Sequence, residues 1–322
     1  MGSETAPRTA RYRHSLPQLS SDLFLTDGGL ETDLIFNHGI AIEGFAAHTL
    51  LSSETGRAAM DRYFDGFLSL AREVGAGFIL HSATWKAHRH WADALGATVA
   101  ELKAANEESI RFIAGLRRRF ANPAKPIVLN AIIGPRGDAY SPEVVIPVRE
   151  AEDYFSEQIG WLVQTEADMI SGMTFSQASE AAGFLCAARR VGMPAALSFT
   201  VEADGMLATG QSLGDAVREV EAASNGYCAY YMINCAHPTH FAPALGQADW
   251  TRRIRGLRAN ASTKSHAELD GASELDAGDP GELAEHYRSL AARMPWINIF
   301  GGCCGTDLRH VAKIAEAIRP LR

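Results

Sequence analysis

Two adjacent cysteines near the C-terminal end of the chain are the side chains best suited to do chemistry. Cys303 and Cys304 lie in the segment GGCCGT at 301–306, between an apolar run and a predicted helix. Adjacent side chains of an extended strand point to opposite faces, so both thiols can reach one ion only where the backbone bends, which glycine permits. Core packing would explain two buried cysteines but not the glycines around them. The pattern therefore predicts a metal site or a catalytic turn.

A third cysteine, Cys235, follows Asn234 at the end of another apolar run. Together the three cysteines offer soft thiolates, which suit Zn²⁺ and leave the fourth tetrahedral position for a substrate. A structural zinc site usually has four protein ligands at Cys-x₂₋₄-Cys spacing, and no fourth cysteine lies nearby in the sequence. We therefore predict that Cys235, Cys303 and Cys304 are both the metal ligands and the catalytic residues.

Composition limits the classes of function. The chain has 322 residues, is 47% hydrophobic and carries a net charge of −8, which argues against a nucleic-acid partner. No apolar run approaches the ~20 residues that span a bilayer, so no membrane partner is expected. Five cysteines are too few for a disulfide scaffold, and their odd number favours a reducing, cytoplasmic location. A homo-oligomer is left open.

The chain alternates between strand-length apolar runs and helical patterns. About eight β-then-α units follow one another over 21–322 without an obvious linker, which predicts a single (β/α)₈ TIM barrel ahead of an open doubly wound sheet. No Gly-x-Gly-x-x-Gly follows the first strand, which weakens a dinucleotide-binding alternative. Residues 1–20 lack the apolar core of a secretory signal and are predicted to be a flexible or loosely docked leader.

Two helix starts can be predicted from local signals. Asp279 followed by Pro280 is a typical N-cap with proline in the first helical position. Thr306 is predicted to cap the last helix, whose buried stripe would be Leu308, Val311, Ile314 and Ile318. The polar stretch 260–280 is predicted to be a long loop at the catalytic end of the barrel.

Polar residues follow the ends of several predicted strands, and the carboxyl ends of barrel strands meet at one mouth. The motifs are Asp27-Gly28-Gly29-Leu30, Asn234-Cys235 and GGCCGT at 301–306. With them the chain resembles the homocysteine S-methyltransferase family over about 23–318. This family includes the betaine–homocysteine and S-methylmethionine–homocysteine enzymes. The resemblance implies a (β/α)₈ barrel with a catalytic zinc on the three cysteines, where homocysteine binds through its sulfur as a thiolate.

Asp27 is the best candidate to bind the amino group of an amino-acid substrate. The backbone N–H groups of Gly28 and Gly29 could hold its carboxylate, as glycine-rich turns between strand and helix hold anions. The alternative is an Asp-Gly pair that only forms a turn. The full set of predicted substrate-binding residues is Asp27, Gly28, Gly29, Thr84, Trp85, Met173, Thr174 and Asn234.

Three positions depart from the pattern of the family. Many members have Glu-Thr where this chain has Met173-Thr174, and that glutamate helps to bind the homocysteine ammonium. Members often show Thr-Asn-Thr-Tyr or Thr-Asn-Thr-Phe where this chain reads SATW at 82–85, and Glu31 stands where glycine is common. Glu31 is a candidate replacement for the missing carboxylate, and a different thiol acceptor is the alternative.

Aromatic and histidine side chains near the strand ends allow further interpretations. Trp85, Phe175 and Trp296 are candidates for an aromatic wall around a sulfonium or trimethylammonium donor, with core packing as the alternative. His81, together with His88 and His90, is expected to be solvated or to cap a helix rather than to bind metal.

The sequence thus favours a zinc-dependent S-methyltransferase. It would move a methyl group from a sulfonium donor, S-methylmethionine or S-adenosylmethionine, to homocysteine and form methionine. Its expected partners are small molecules, a thiol acceptor and a methyl donor. One alternative keeps the zinc–thiolate chemistry but uses another thiol or selenol acceptor, or another methylated donor. The other is a non-catalytic zinc protein that senses redox state through its cysteines.

Overall fold

The computed structural model describes residues 9–122, 124–142, 144–246 and 248–321. Its strands form a closed parallel barrel in the order β1 to β8, and Phe24 of β1 pairs with Gly77 of β2 on one side and Ile299 of β8 on the other. The strands are Phe24–Leu25 (β1), Gly77–His81 (β2), Ile127–Ile133 (β3), Met169–Phe175 (β4), Ala195–Phe199 (β5), Tyr231–Asn234 (β6), Ile254–Ala259 (β7) and Ile299–Gly302 (β8). The predicted (β/α)₈ barrel is confirmed.

Helices alternate with the strands and cover the outside of the barrel, because parallel strands need crossover connections. They are Leu30–Thr32 (α1), Glu54–Val74 (α2), Val99–Arg119 (α3), Val148–Leu162 (α4), Ala178–Arg190 (α5), Leu213–Ser224 (α6), Pro238–Phe241 (α7), His266–Asp270 (α8), Pro280–Arg293 (α9) and Leu308–Ile318 (α10). Among the described helices, none is both long enough and apolar enough to cross a membrane.

Local signals in the sequence set most helix ends. Asp279 caps α9 and Pro280 is its first residue, as predicted. The cap of α10 is Asp307 and not Thr306, because the Thr306 hydroxyl donates instead to the Cys303 carbonyl at 2.7 Å. The predicted stripe of α10 is buried except for Leu308, which is the first helical residue and is 39% exposed at the rim.

Two apolar layers fix the barrel. The inner layer lies inside the barrel toward the amino ends of the strands, and the outer layer packs between the strands and the helices. The inner layer includes Phe24, Ile79, Val128, Met169, Met173, Tyr230, Met232 and Ile299. Above it, the carboxyl ends of the strands carry polar side chains and open into a cavity.

The segment before β1 lies against the opposite end of the barrel. Of the leader predicted at 1–20, residues 1–8 lie outside the described residues. From residue 11 onward the segment is packed: the backbone N–H groups of Arg11 and Tyr12 donate to the buried Asp168 at 2.7 and 2.9 Å. Gln18 is fully buried and donates to the Met169 sulfur at 3.0 Å. This segment therefore covers the amino ends of the strands, and the cavity beside the cysteines lies at the other end.

Candidate metal and substrate site

Three cysteine sulfurs meet at the carboxyl end of the barrel. Cys235 directly follows β6, and Cys303 and Cys304 directly follow β8. Their sulfur atoms all lie within 4.8 Å of one another, and those of Cys235 and Cys303 are in direct contact, with the two Cα atoms 5.4 Å apart. The predicted ligands are therefore brought together, and their number and softness are those of a zinc site with an open position.

The glycines beside the cysteines are required by close packing. A Cβ on Gly301 would lie 1.9 Å from the Thr26 hydroxyl, and one on Gly302 would lie 2.0 Å from the Thr306 hydroxyl. Gly305 has a φ of +78°, in the region that favours glycine. The turn after β8 can therefore bend both sulfurs toward Cys235 only because these positions have no side chain.

Gly28 and Gly29 serve the same turn from the side of β1. A Cβ on Gly29 would lie 2.5 Å from the Cys303 carbonyl oxygen, and one on Gly28 would lie 2.8 Å from that of Thr306. The Gly29 N–H donates to the Thr306 carbonyl at 3.0 Å. The Gly29 N–H is therefore not free to hold a substrate carboxylate, which is the role that the sequence predicts for it. Both glycines line the cavity, where their first role is to seat the cysteine turn.

Asn234 holds the Cys235 sulfur. Its amide nitrogen donates to that sulfur at 3.2 Å and to the Thr174 hydroxyl at 2.8 Å. Its amide oxygen accepts from the Thr174 N–H at 3.0 Å and from the Ser198 hydroxyl at 2.6 Å. Every polar atom of this side chain is thus used inside the protein. Asn234 and Thr174 therefore both contact the Cys235 sulfur. Both also line the cavity, and substrate binding by them stays a prediction.

Asp27 lies at the floor of the cavity, already paired with a cation. Its carboxylate is 3.0 Å from Arg258, 3.3 Å from His81 and 3.3 Å from the Tyr63 hydroxyl, all of them buried. Burial raises the pKa of Asp27, but the Arg258 charge and the His81 contact outweigh it and leave the pKa below the ordinary value. The carboxylate that the sequence assigned to a substrate ammonium is therefore neutralised by this chain itself.

Arg258 and His81 were missed as site residues. The Arg258 guanidinium also donates to the carbonyls of Gly302 and Gly28, both at 2.9 Å, and so ties β7 to the two glycine turns. His81, expected to be solvated or to cap a helix, lies buried inside the barrel and contacts Arg258 through Nδ1. The available signal was an arginine near the carboxyl end of β7, which reads IRGLRA at 254–259.

The cavity above the cysteines has a volume of about 820 Å³ and contains most of the predicted site residues. Its walls include Trp85, Met173 and Thr174, but not Thr84. The Thr84 hydroxyl instead donates to the Ile132 carbonyl at 2.6 Å beneath the wall. Acidic residues outnumber basic ones around the cavity. The acidic set is Asp27, Glu31, Asp138, Asp270, Glu274 and Asp276, and the basic set is Lys86 and Arg258.

One of the three proposed aromatic wall residues reaches the cavity. Trp85 lines it, whereas Phe175 packs outside the barrel between Phe155 and Phe184. Trp296 lies at the amino end of the strands, where its indole N–H donates to the Thr251 carbonyl at 3.0 Å. Core packing, the alternative given for Phe175 and Trp296, is what the structure shows.

A cation of this chain already lies against the aromatic wall. The Lys86 ammonium is 4.4 Å from the centre of the Trp91 ring and 5.7 Å from that of Trp85, and it donates to the Gly44 carbonyl at 2.9 Å. Such a position over an indole ring is one that an onium ligand would also favour. A cationic ligand at this wall would therefore have to lie beside the Lys86 ammonium or displace it.

Among the nearby carboxylates, Glu31 has the largest effect on the pKa of Cys304. Burial raises the pKa of Glu31 to about 7, against a hydrogen bond from its own backbone. Burial also raises the pKa of Cys304 to about 12, and the charge of Glu31 adds to the effect. Without a metal, Cys304 is thus a neutral thiol at pH 7, and a thiolate there requires a cation beside it.

The chain is thus a closed parallel α/β barrel in which three convergent cysteine sulfurs, a group that could hold a metal ion, lie under a cavity at the carboxyl ends of the strands. The family model described as homocysteine S-methyltransferase matches residues 24–318. The chain therefore belongs to the homocysteine S-methyltransferase family, and it is a methyltransferase. This confirms the resemblance drawn from the motifs.

Solved structures agree on the fold. The oxidized form of the homocysteine methyltransferase MmuM from Escherichia coli has 20% sequence identity and a TM-score of 0.73, and the match covers 94% of this chain and 99% of that one. The metallated form of MmuM has 19% identity and a TM-score of 0.71, with 92% and 96% coverage. At this identity the likeness establishes the shared barrel only.

The ion pair at the cavity floor predicts a stability effect for Asp27. Asp27→Ala should lower the free energy of unfolding by roughly 3–5 kcal/mol, because it leaves the Arg258 charge buried without a partner. Chemical denaturation at pH 7 measures this change. Asp65→Ala is the control: Asp65 is an exposed partner of Arg119, so its removal should cost about 0–1 kcal/mol.

The pH dependence of unfolding gives the same pair a second test. The pKa of Asp27 is lower in the folded protein than in the unfolded chain. The ionised Asp27 therefore adds its full contribution to the free energy of unfolding above the ordinary aspartate pKa of about 3.9. This contribution is lost as the pH falls through the lower pKa of the folded state. Asp27→Asn should lose this part of the acid dependence. If Asp27→Ala were as stable as the Asp65 control and only raised the acceptor KM, Asp27 would be a free ammonium anchor after all.

Proposed function

We propose that the protein transfers a methyl group from a sulfonium donor, S-methylmethionine or S-adenosylmethionine, to the sulfur of homocysteine and so forms methionine. The observation that carries the proposal is the cluster of Cys235, Cys303 and Cys304 sulfurs, within 4.8 Å of one another, at the mouth of a barrel of this family. The metal we propose for this cluster is zinc, since three thiolates suit it in number and softness.

When bound, zinc would supply the positive charge that keeps a substrate thiol deprotonated at neutral pH. The chain itself supplies the positioning. Asn234 and Thr174 hold the Cys235 sulfur, and the glycine turn holds the other two. The walls keep the acceptor sulfur and the donor methyl in one enclosed space, which favours an in-line approach.

The methyl transfer needs no catalytic base on the methyl group. A carbon–sulfur bond forms between the acceptor thiolate and the methyl carbon as the donor's carbon–sulfur bond breaks. The electron pair stays with the donor sulfur, which leaves as a neutral thioether. The thiol proton is lost to solvent before this step. The work of the protein is therefore thiolate stabilisation and orientation.

The charge of the cavity supports a cationic donor. With Asp27 and Arg258 cancelling each other, five acidic residues and Lys86 remain around the cavity. An excess of negative charge in a cleft attracts cations and raises their local concentration. A sulfonium beside Trp85 would replace the charge that Lys86 now places there. We also propose a reducing, cytoplasmic location, because the three sulfurs must stay reduced to bind a metal.

The metal content and activity of cysteine variants test this function. Purified reduced protein should hold about one zinc per chain and form methionine from homocysteine with at least one of the two sulfonium donors. Cys235→Ser, Cys303→Ser and Cys304→Ser should each lose most of the zinc and nearly all activity while the barrel stays folded by circular dichroism. Cys186→Ser is the matched control, since Cys186 lies in α5 away from the cluster, and it should keep both.

Two results would contradict the proposal. A Cys304→Ser protein that is metal-free and fully active would remove the metal from the mechanism. A reduced, zinc-loaded wild-type protein that transfers no methyl group to any thiol would favour the non-catalytic alternative, in which the cysteines respond to oxidation.

A different acceptor is the second candidate, and two observations favour it. Met173 lines the cavity where many family members have a glutamate, and Asp27 is already neutralised by Arg258. The cavity therefore offers little to a substrate ammonium unless Glu31 binds it. A thiol or selenol without an amino group would fit the same sulfur site at no cost in unpaired charge.

A matched pair of acceptors separates the two candidates. Homocysteine and its deamino analogue 4-sulfanylbutanoate differ only in the ammonium, and we expect their kcat/KM values to lie within about tenfold, a difference of ~1.4 kcal/mol. Met173→Glu should raise the ratio in favour of homocysteine by at least about tenfold, whereas the uncharged control Met173→Gln should not. If the wild-type kcat/KM for homocysteine instead exceeds that for 4-sulfanylbutanoate by more than about 100-fold, the ammonium is recognised. Loss of this preference in Glu31→Gln would assign ammonium binding to Glu31.

A further inference from the structure

The backbone carbonyl of Cys235 receives an unusual number of side-chain hydrogen bonds. Asn260 donates to it at 3.0 Å, Thr200 at 3.3 Å and His266 through Nε2 at 2.5 Å. Cys235 is not a glycine, yet its φ is +54°, in the left-handed region. Non-glycine residues keep such a conformation only when the surroundings hold it. The three donors therefore hold a strained residue that also carries one of the clustered sulfurs.

His266 differs from the other two donors because it is itself held from two sides. Its Nδ1 lies 3.0 Å from the Glu202 carboxylate, and the Tyr140 ring packs on its face with centroids 4.1 Å apart and an interplanar angle of 31°. Nε2 faces the Cys235 carbonyl and Nδ1 faces the Glu202 carboxylate. The orientation of the imidazole is thereby fixed.

Through His266, loops that follow three different strands are connected to the carbonyl oxygen of Cys235. Glu202 follows β5, His266 is the first residue of α8 after β7, and Tyr140 follows β3. His266 is 8% exposed, and both it and Tyr140 line the cavity above the cysteines. The polar loop at 260–280 therefore has a specific task at the site, beyond forming its rim.

We propose that His266, oriented by Glu202, is a positioning residue that fixes the backbone of Cys235 and thereby aims its sulfur toward Cys303 and Cys304. Without the Nε2 donor, the peptide after Cys235 can rotate and the residue can relax from its left-handed conformation. The sulfur, which Asn234 holds at 3.2 Å from the other side, would then leave the place where the three sulfurs meet. The inference rests on the proposed function in taking these sulfurs as a metal site.

Metal release tests the role with a readout other than activity. His266→Ala should release zinc to a chromogenic chelator roughly 10–100-fold faster than wild type, since groups that orient metal ligands have effects of this size. Its Co²⁺-substituted form should show an altered visible spectrum. His266→Gln, which can place an amide N–H near the position of Nε2, should stay within about threefold of wild type. His14→Ala, at an exposed position of the segment before β1, is the control and should not differ.

Variants of Glu202 separate orientation from folding. Glu202 is one-third exposed, so Glu202→Ala should fold, yet release zinc faster than wild type. Glu202→Gln, which keeps a hydrogen-bond partner for Nδ1, should recover most of the difference. If His266→Ala and Glu202→Ala both released zinc at the wild-type rate with an unchanged Co²⁺ spectrum, the proposal would be overturned.

A metal-independent measurement keeps the inference distinct from the proposed function. In reduced, metal-free protein, alkylation of Cys235 mapped by mass spectrometry should be at least tenfold faster in His266→Ala than in His266→Gln, because the released backbone exposes a thiol that is now buried. A wild-type protein that binds no zinc would refute the proposed function, and this experiment would still decide the role of His266. Equal alkylation rates would refute that role.

Discussion

The rest of the site depends on the close approach of two glycine turns at the mouth of the barrel. The turn after β1 lies so near the turn after β8 that a Cβ on Gly29 would clash with the Cys303 carbonyl, and one on Gly301 would clash with Thr26. This packing bends the chain after β8 so that two consecutive sulfurs face the same side. The barrel then delivers the third sulfur from β6, which lies two strands away around the barrel. The cluster of three cysteine sulfurs follows from the packing of backbone against backbone, and the side chains around it hold that arrangement.

Charge within the cavity is arranged in two layers with different consequences. At the floor, Asp27 and Arg258 neutralise each other in a buried pair that also ties β7 to both glycine turns. Removing one partner would leave the other uncompensated, so this pair belongs to the stability of the site as much as to substrate recognition. At the walls, carboxylates exceed the single ammonium of Lys86, which favours a cationic ligand beside Trp85. The floor of the cavity is thus neutral, and its walls are acidic.

The sequence was sufficient to predict the barrel, the convergence of the cysteines and the family, because these depend on local patterns and on strand ends that meet in any parallel barrel. It did not reveal the contacts between distant elements. The amide of Asn234, which is predicted to bind substrate, is also used by Cys235 and by residues of two other strands. Arg258 and His266 carried no motif, and only the folded chain shows that one neutralises Asp27 and the other donates to Cys235. The alternation that reveals a strand says nothing about which buried polar groups will find each other.

The central claim is that Cys235, Cys303 and Cys304 together hold one zinc ion. X-ray absorption at the zinc edge of the reduced protein tests it most directly, because the fine structure counts the sulfur neighbours of the metal. We predict three sulfur neighbours at about 2.3 Å in the wild-type protein, and two in any Cys304→Ser protein that retains zinc. A spectrum dominated by nitrogen and oxygen neighbours, or one that is unchanged in Cys304→Ser, would contradict it.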